Sequence, residues 1–219
     1  PPADVIVDPN LPGDGFASKA LAGVGVMFYV LLALRRRLRD LGRFDGDPPD
    51  LAALLDLVAV GTVADLVPLD ANNRALVGAG LRRLRAGQGC AGLQALIDVS
   101  RRQAATLTAA DIGFALAPRI NAAGRLEDMS LGIECLLCED PRRARELAEV
   151  LDGINAERRG VQQQMVAEAE DALATLSFDR ADGPAPASAE GRASVCLYRE
   201  DWHPGVVGLV ASKIKERLH

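Results

Sequence analysis

The chain has 219 residues, of which 49% are hydrophobic and 4% aromatic, enough for a buried core in one domain or in a domain plus part of another. Its formal net charge of −5 excludes a generally cationic nucleic-acid-coating surface, so any such contact must come from local basic patches. The longest apolar stretch, Ala20 to Leu34, is interrupted by Gly23 and Gly25 and falls short of the roughly 18–20 residues that cross a bilayer, which predicts a buried helix in a cytoplasmic protein with no membrane span.

The N-terminal Pro1-Pro2-Ala3-Asp4-Val5 lacks an initiating methionine and the basic and apolar regions of a signal peptide. At the other end, Leu209 to His219 is an amphipathic helical pattern with no terminating glycine. Both ends therefore read as cuts within a longer protein. Asp4-Val5-Ile6-Val7-Asp8 predicts a short strand closed by Pro9, followed by a turn-rich loop. From Ser18 as N-cap a helix is expected to about Leu41, with Arg35, Arg36, Arg37 and Arg39 at the end where cations suit the helix dipole.

Asp50 can cap a second helix that runs through Leu57 into Gly61, apolar on nearly every side and so deeply buried. Asn72 or Asn73 opens another helix to Ala86, Gly92 to Ser100 forms a short one, and Thr108 to Asp111 starts one that Pro118 should end. Pro141 suits a first helical turn, and the pattern continues to about Leu176, roughly 50 Å at 1.5 Å per residue. Leu147, Leu151, Ile154, Val161, Met165, Ala172 and Leu176 give it one narrow apolar seam, the signature of a connector. Residues 179–192 have no periodicity and read as a linker or loop. Ala193 to Tyr198 is an expected strand and Gly205 to Leu218 a helix, together one βα step.

Cys135 and Cys138 form a C-x-x-C, yet there is no second such pair and the only histidines are His203 and His219. They read as buried helix cysteines in a reducing compartment. The pairs Arg82/Arg83, Arg101/Arg102, Arg142/Arg143 and Arg158/Arg159 read as solvated helix faces.

Three segments can carry chemistry. Asp65 is a lone carboxylate in the apolar run Val58 to Leu69, which suits either a hard cation or a local cap or ion pair. Pro118-Arg119-Ile120-Asn121-Ala122-Ala123-Gly124-Arg125-Leu126 reads as a break after a helix that joins two guanidinium groups to an amide and a glycine. It fits a phosphate site or a turn paired with Glu127 and Asp128. In Trp202-His203-Pro204-Gly205-Val206-Val207-Gly208, continued to Ser212 and Lys213, a strand leads by a short loop into a glycine-bearing helix start, which suits anion binding or close packing of helix on sheet.

In order and combination, Gly61-Thr62-Val63-Ala64-Asp65, Asn72-Asn73-Arg74, Arg119 to Leu126 and Trp202-His203-x-Gly205-Val206-Val207-Gly208 resemble the single-stranded-DNA exonucleases of the DHH phosphoesterase superfamily. Ser18-Lys19-Ala20-Leu21-Ala22-Gly23-Val24-Gly25-Val26 agrees. The resemblance implies a helix-rich α/β fold: residues 1–140 the C-terminal portion of a DHH phosphoesterase domain, 141–178 a long connecting helix, 179–192 a linker or loop, and 193–219 the start of a DHHA1-type domain. It implies 5′-to-3′ exonuclease activity on single-stranded DNA in repair and recombination, at two Mn²⁺ or Mg²⁺ ions. Asp65 would be a metal ligand, with the Asp-His-His motif and the other ligands before Pro1. Asn121 and Arg125 would lie at the reacting phosphate, while Arg119, Trp202, His203, Gly205, Gly208, Ser212 and Lys213 would hold nucleic acid. A helicase and a single-strand-binding protein would be partners. Cleavage of short oligonucleotides or cyclic dinucleotides, and a catalytically silent scaffold, are the competing readings.

Overall fold

The computed structural model describes residues 3–178 and 195–218, with side chains as far as 175 and from 195 to 217. Helix α1 spans Gly23–Asp40, and a 3₁₀ turn at Leu51–Leu54 leads into α2, Leu55–Ala64. Then follow α3 (Ala71–Arg85), α4 (Ala91–Val99), α5 (Ala109–Asp111), a π-helical turn at Ile112–Leu116, α6 (Ala117–Leu126) and α7 (Ser130–Leu137). The long α8 covers Pro141–Phe178 and α9 covers Pro204–Leu218.

Helix α2 is the centre of the packing, as its all-round apolar sequence requires. Val58, Ala59, Val60 and Thr62 are buried, with Thr62 Oγ1 donating to the Val58 carbonyl. Gly80 of α3 lies so close that an added Cβ would stand 2.1 Å from the Leu55 carbonyl oxygen. Leu84, Leu93, Leu96, Ile112, Leu116 and Leu151 complete a continuous core from α2 to the first half of α8. A second cluster joins Met165, Val166 and Ala169 of α8 to Val206, Val210 and Ile214 of α9. The seam of α8 is thus shared between two cores, Leu147 and Leu151 in one and Met165 in the other.

Several expectations are corrected. No described residue is in a strand, so the α/β character expected of Asp4–Asp8 and Val195–Tyr198 is absent among them. Val5, Ile6 and Val7 are 78%, 67% and 58% exposed. β-Branched composition favours a strand only where a neighbour completes the ladder, and no described residue pairs with this run in one. The expected linker at 179–192 and the strand residues Ala193 and Ser194 lie outside the described residues.

Ser18 does not cap α1, whose N-cap is Ala22. Asp70, not Asn72 or Asn73, caps α3 by accepting from the Asn73 N–H. Asp50 caps its helical turn as expected, accepting from Ala52 N–H. Pro118 does not stop the chain from coiling, because the preceding turn widens to π geometry, and a proline without an N–H is tolerated where the i→i−4 ladder is already interrupted. Arg119 to Leu126 is therefore helix α6, not a break. Of the cysteines only Cys135 is a fully buried helix residue; Cys90 and Cys138 are half-buried and Cys196 is exposed.

Candidate metal and nucleic-acid site

Asp65 is the C-cap of α2 and its backbone N–H donates to the Gly61 carbonyl. The next residue, Leu66, takes a left-handed backbone at φ 55°, which costs a non-glycine residue roughly 1–2 kcal/mol and turns the chain out of the helix. The carboxylate is exposed although the run that carries it, Val58 to Leu69, is apolar. It has no hydrogen-bond or ion-pair partner among the described residues.

A cavity of about 370 Å³ opens beside it, lined by Ala22, Gly23, Val24, Gly61, Asp65 and Asn121. Ala22, Gly23 and Val24 at the N-terminus of α1 form one wall, and the helix carries no side-chain cap, so its first N–H groups have no intrahelical acceptors. Three contacts hold that wall in place. Ser18 Oγ donates to Asp70 Oδ2 at 2.6 Å. The buried Asn73 amide donates to the carbonyls of Ala20 and Pro68. Gly61 admits Val24 so closely that an added Cβ would meet its side chain at 2.7 Å.

Asn121 projects from α6 into the same cavity. One turn further along α6, Arg125 Nη1 donates to the Gly205 carbonyl at 3.0 Å. Gly205 in turn packs on the Arg125 backbone, where an added Cβ would be 2.0 Å from the carbonyl oxygen. Four residues singled out in the sequence, Asp65, Asn121, Arg125 and Gly205, therefore form one contiguous strip.

The others separate into two groups. Trp202 and His203 belong to the α9 entry: the indole N–H donates to Glu168 Oε2 at 2.7 Å, and His203 Nδ1 accepts from the Gly205 N–H. Glu168 is held below the ordinary carboxylate range by the Gln164 amide first and by that indole second. Gly208, Ser212 and Lys213 lie exposed on α9, with Ser212 Oγ returning its proton to the Gly208 carbonyl. Arg119 is set apart. Its guanidinium is largely buried against Asp152 at 2.8 Å and donates to the Ala115 carbonyl inside the π turn, so its charge is neutralised within the protein.

Sequence reasoning missed Arg158, which it took for a solvated face. Arg158 is half-buried, with the buried amides of Asn155 and Gln162 on either side. The signal was present as polar residues at spacings of three and four on the buried side of α8. It also missed Asp56, a buried carboxylate of α2 that accepts from the Cys90 N–H at 2.7 Å and so anchors the start of α4.

Among the described residues no three His, Cys, Asp or Glu side chains gather as a cation site would need. Asp65 and the Asn121 amide are hard oxygen donors of the kind that Mg²⁺ or Mn²⁺ accepts, and they fit part of such a site.

No family model matches the chain. Curated relatives do, along all of it. The single-stranded-DNA-specific exonuclease RecJ of Dickeya dadantii is 51% identical over 222 residues, and that of Escherichia coli is 50% identical over the same length. In each case the match takes in 100% of this chain and 37% of the relative, so the chain spans little more than a third of their length. Among solved structures, a manganese-bound exonuclease RecJ superposes with a TM-score of 0.77 at 33% identity, over 99% of this chain and 49% of that one. The Mg²⁺ complex of RecJ from Thermus thermophilus superposes at 0.73 over 93% of this chain and 28% of that one. From end to end, in sequence and in fold, this chain matches a segment of the RecJ family.

Proposed function

We propose that the protein to which this chain belongs is a metal-dependent 5′-to-3′ exonuclease on single-stranded DNA, acting in repair and recombination. The reading is carried above all by one observation, that relatives about 50% identical over the whole chain are RecJ proteins; Asp65, with a free carboxylate at the cavity shared with Asn121, agrees with it.

In this reading residues 1–140 complete a DHH phosphoesterase domain, α8 is the connector, 179–192 link it onward, and residues 193–219 begin a DHHA1-type domain. Asp65 holds one of two Mn²⁺ or Mg²⁺ ions, which when bound supply an activated water and offset charge on the attacking and leaving oxygens. Asn121 orients the scissile phosphate beside Asp65, and Arg125 offers it a guanidinium. Trp202, His203, Gly205, Gly208, Ser212 and Lys213 hold the strand as it leaves the cavity, while Arg119 keeps α6 seated on α8. A helicase and a single-strand-binding protein are the proposed partners, in the cytoplasm.

The test uses the full-length protein with Mn²⁺ and end-labelled strands. Asp65→Ala is expected to abolish cleavage and leave most DNA binding; a variant cleaving at the wild-type rate would remove Asp65 from the site. Preference for dinucleotides over long strands would replace the exonuclease reading with a small-substrate phosphodiesterase, and a wild-type protein that binds strands without cutting them would leave a scaffold.

A further inference from the structure

Helix α6 brings Asn121 to the Asp65 cavity, and the chain enters that helix through a widened turn. Across the π turn Ile112–Leu116, the Ala117 N–H donates to the Ile112 carbonyl, five residues back. Such a turn takes up one residue more than an α-helical turn, so every later side chain is set round by about 100° relative to an unbroken α-helix. In an unbroken helix Ile120, which is 7% exposed in the core, would point where Asn121 points now. The rotation that keeps Ile120 buried and turns Asn121 to the cavity is therefore made in the π turn.

The backbone does not hold that turn by itself. Pro118, next in line after Ala117, has no N–H to repeat the five-residue bond. Arg119 brings a donor from its side chain instead: Nη1 donates to the Ala115 carbonyl at 2.6 Å. The rest of the guanidinium is anchored outside the helix, where Nε and Nη2 both lie 2.8 Å from Asp152 Oδ1 of α8. Leu151, beside Asp152, is wholly buried, so this stretch of α8 is itself fixed by the core. Gly113 of the same turn packs on α2, where an added Cβ would stand 3.4 Å from Val63 Cγ1, two residues before Asp65. The π turn is thus clamped between the helix that ends at Asp65 and the helix that carries Asp152.

We infer that Arg119, anchored by Asp152, is a positioning residue for the reaction at Asp65: it pins the π turn and so fixes where α6 holds the Asn121 amide. This deepens the exonuclease reading and rests on it. All three guanidinium nitrogens of Arg119 are engaged by Asp152 and Ala115, so it acts through Asn121 and not on the strand. Placement at this level matters, because a misplacement of about 1 Å can cost about a hundredfold in rate.

The test uses the full-length protein with Mn²⁺ and end-labelled strands, in a double-mutant cycle between Arg119 and Asn121. Arg119→Gln is expected to lower kcat by about ten- to a hundredfold with KM nearly unchanged. In an Asn121→Ala background the same substitution should lower kcat by less than about twofold, because the residue it acts through is gone. A folded Arg119→Gln protein with wild-type kcat would overturn the inference. So would equal losses in both backgrounds, which would make Arg119 a general brace, and so would wild-type kcat in Asn121→Ala alone. A raised KM with kcat unchanged would overturn it in favour of direct contact with the strand. Should Arg119→Gln fail to fold, Asp152→Ala at the half-buried end of the pair decides: kcat lowered only where Asn121 is present supports the clamp, and wild-type kcat overturns it. Crystal structures of the wild type and the folded variant read the aim without activity. The Asn121 amide should move by about 1 Å or more from its place at the cavity, and an unmoved amide would overturn the inference. A wild-type protein that cuts no strands would sink the exonuclease reading, while the two structures would still decide whether Arg119 places Asn121.

Discussion

Ser18 Oγ donates to Asp70 Oδ2 across 52 residues of sequence, and this bond ties the loop before α1 to the cap of α3. The same carboxylate accepts from the Asn73 N–H. Asp70 is held below the ordinary carboxylate range by the Asn73 N–H first and the Ser18 hydroxyl second. A carboxyl depressed in the folded state contributes stability that is complete above its unfolded value, about 3.9, and is lost as pH falls through its folded value. Asp70→Asn should therefore melt below the wild type at pH 7, and the gap should narrow as pH falls below about 4. Thermal unfolding across that range checks it; a gap of constant width would mean the carboxylate is not the source.

The contact between Gly205 and Arg125 makes a sharper demand. Gly205→Ala places a methyl 2.0 Å from a backbone oxygen, so α9 must shift off α6, at a cost of at least the 1–3 kcal/mol typical of overpacking. Strand binding should fall with stability. Gly153 lies in α8 with nothing near its missing Cβ, and Gly153→Ala should instead raise stability by about 0.5–1 kcal/mol. Denaturant midpoints of the two variants should move in opposite directions.

Asp56 is 1% exposed and binds the Cys90 N–H. Asp56→Ala leaves that donor unpaired inside the core, which should cost about 1–3 kcal/mol and loosen α4. Hydrogen exchange at residues 90–94 should speed up before the rest of the molecule responds.

The cysteines should differ in reactivity. Burial pushes the Cys135 thiol up to about 11, so at pH 8 it is protonated as well as enclosed, whereas Cys196 is exposed. A thiol reagent should label Cys196 quickly and Cys135 only on unfolding; early labelling of Cys135 would mean that α7 opens locally.

Helix periodicity carried much of the fold. The seam of α8 and the burial of α2 were both legible, because an apolar stripe at helical spacing has few other solutions. Strands were not: Asp4–Asp8 has the β-branched run of a strand, but no described residue pairs with it in one. The caps were misplaced at Ser18 and Asn72 because both are good capping residues on intrinsic preference, and only the tertiary bond between Ser18 and Asp70 decides which one caps. The candidate site was read in pieces: Asp65, Asn121, Arg125 and Gly205 were each singled out, but their adjacency depends on Gly205 fitting against Arg125. Arg158 was lost because a charged pair on a long helix looks solvated until the buried amides beside it are known.

The left-handed turn at Leu66 bears on how Asp65 is aimed. Nothing among the described side chains grips that carboxylate, so the backbone that stops α2 sets where its Cα stands and leaves the side chain its own rotamers. An acid placed by an ion pair would swing when salt screens its partner. One placed by a bend in the main chain keeps its station, and its final aim is left to whatever it comes to hold.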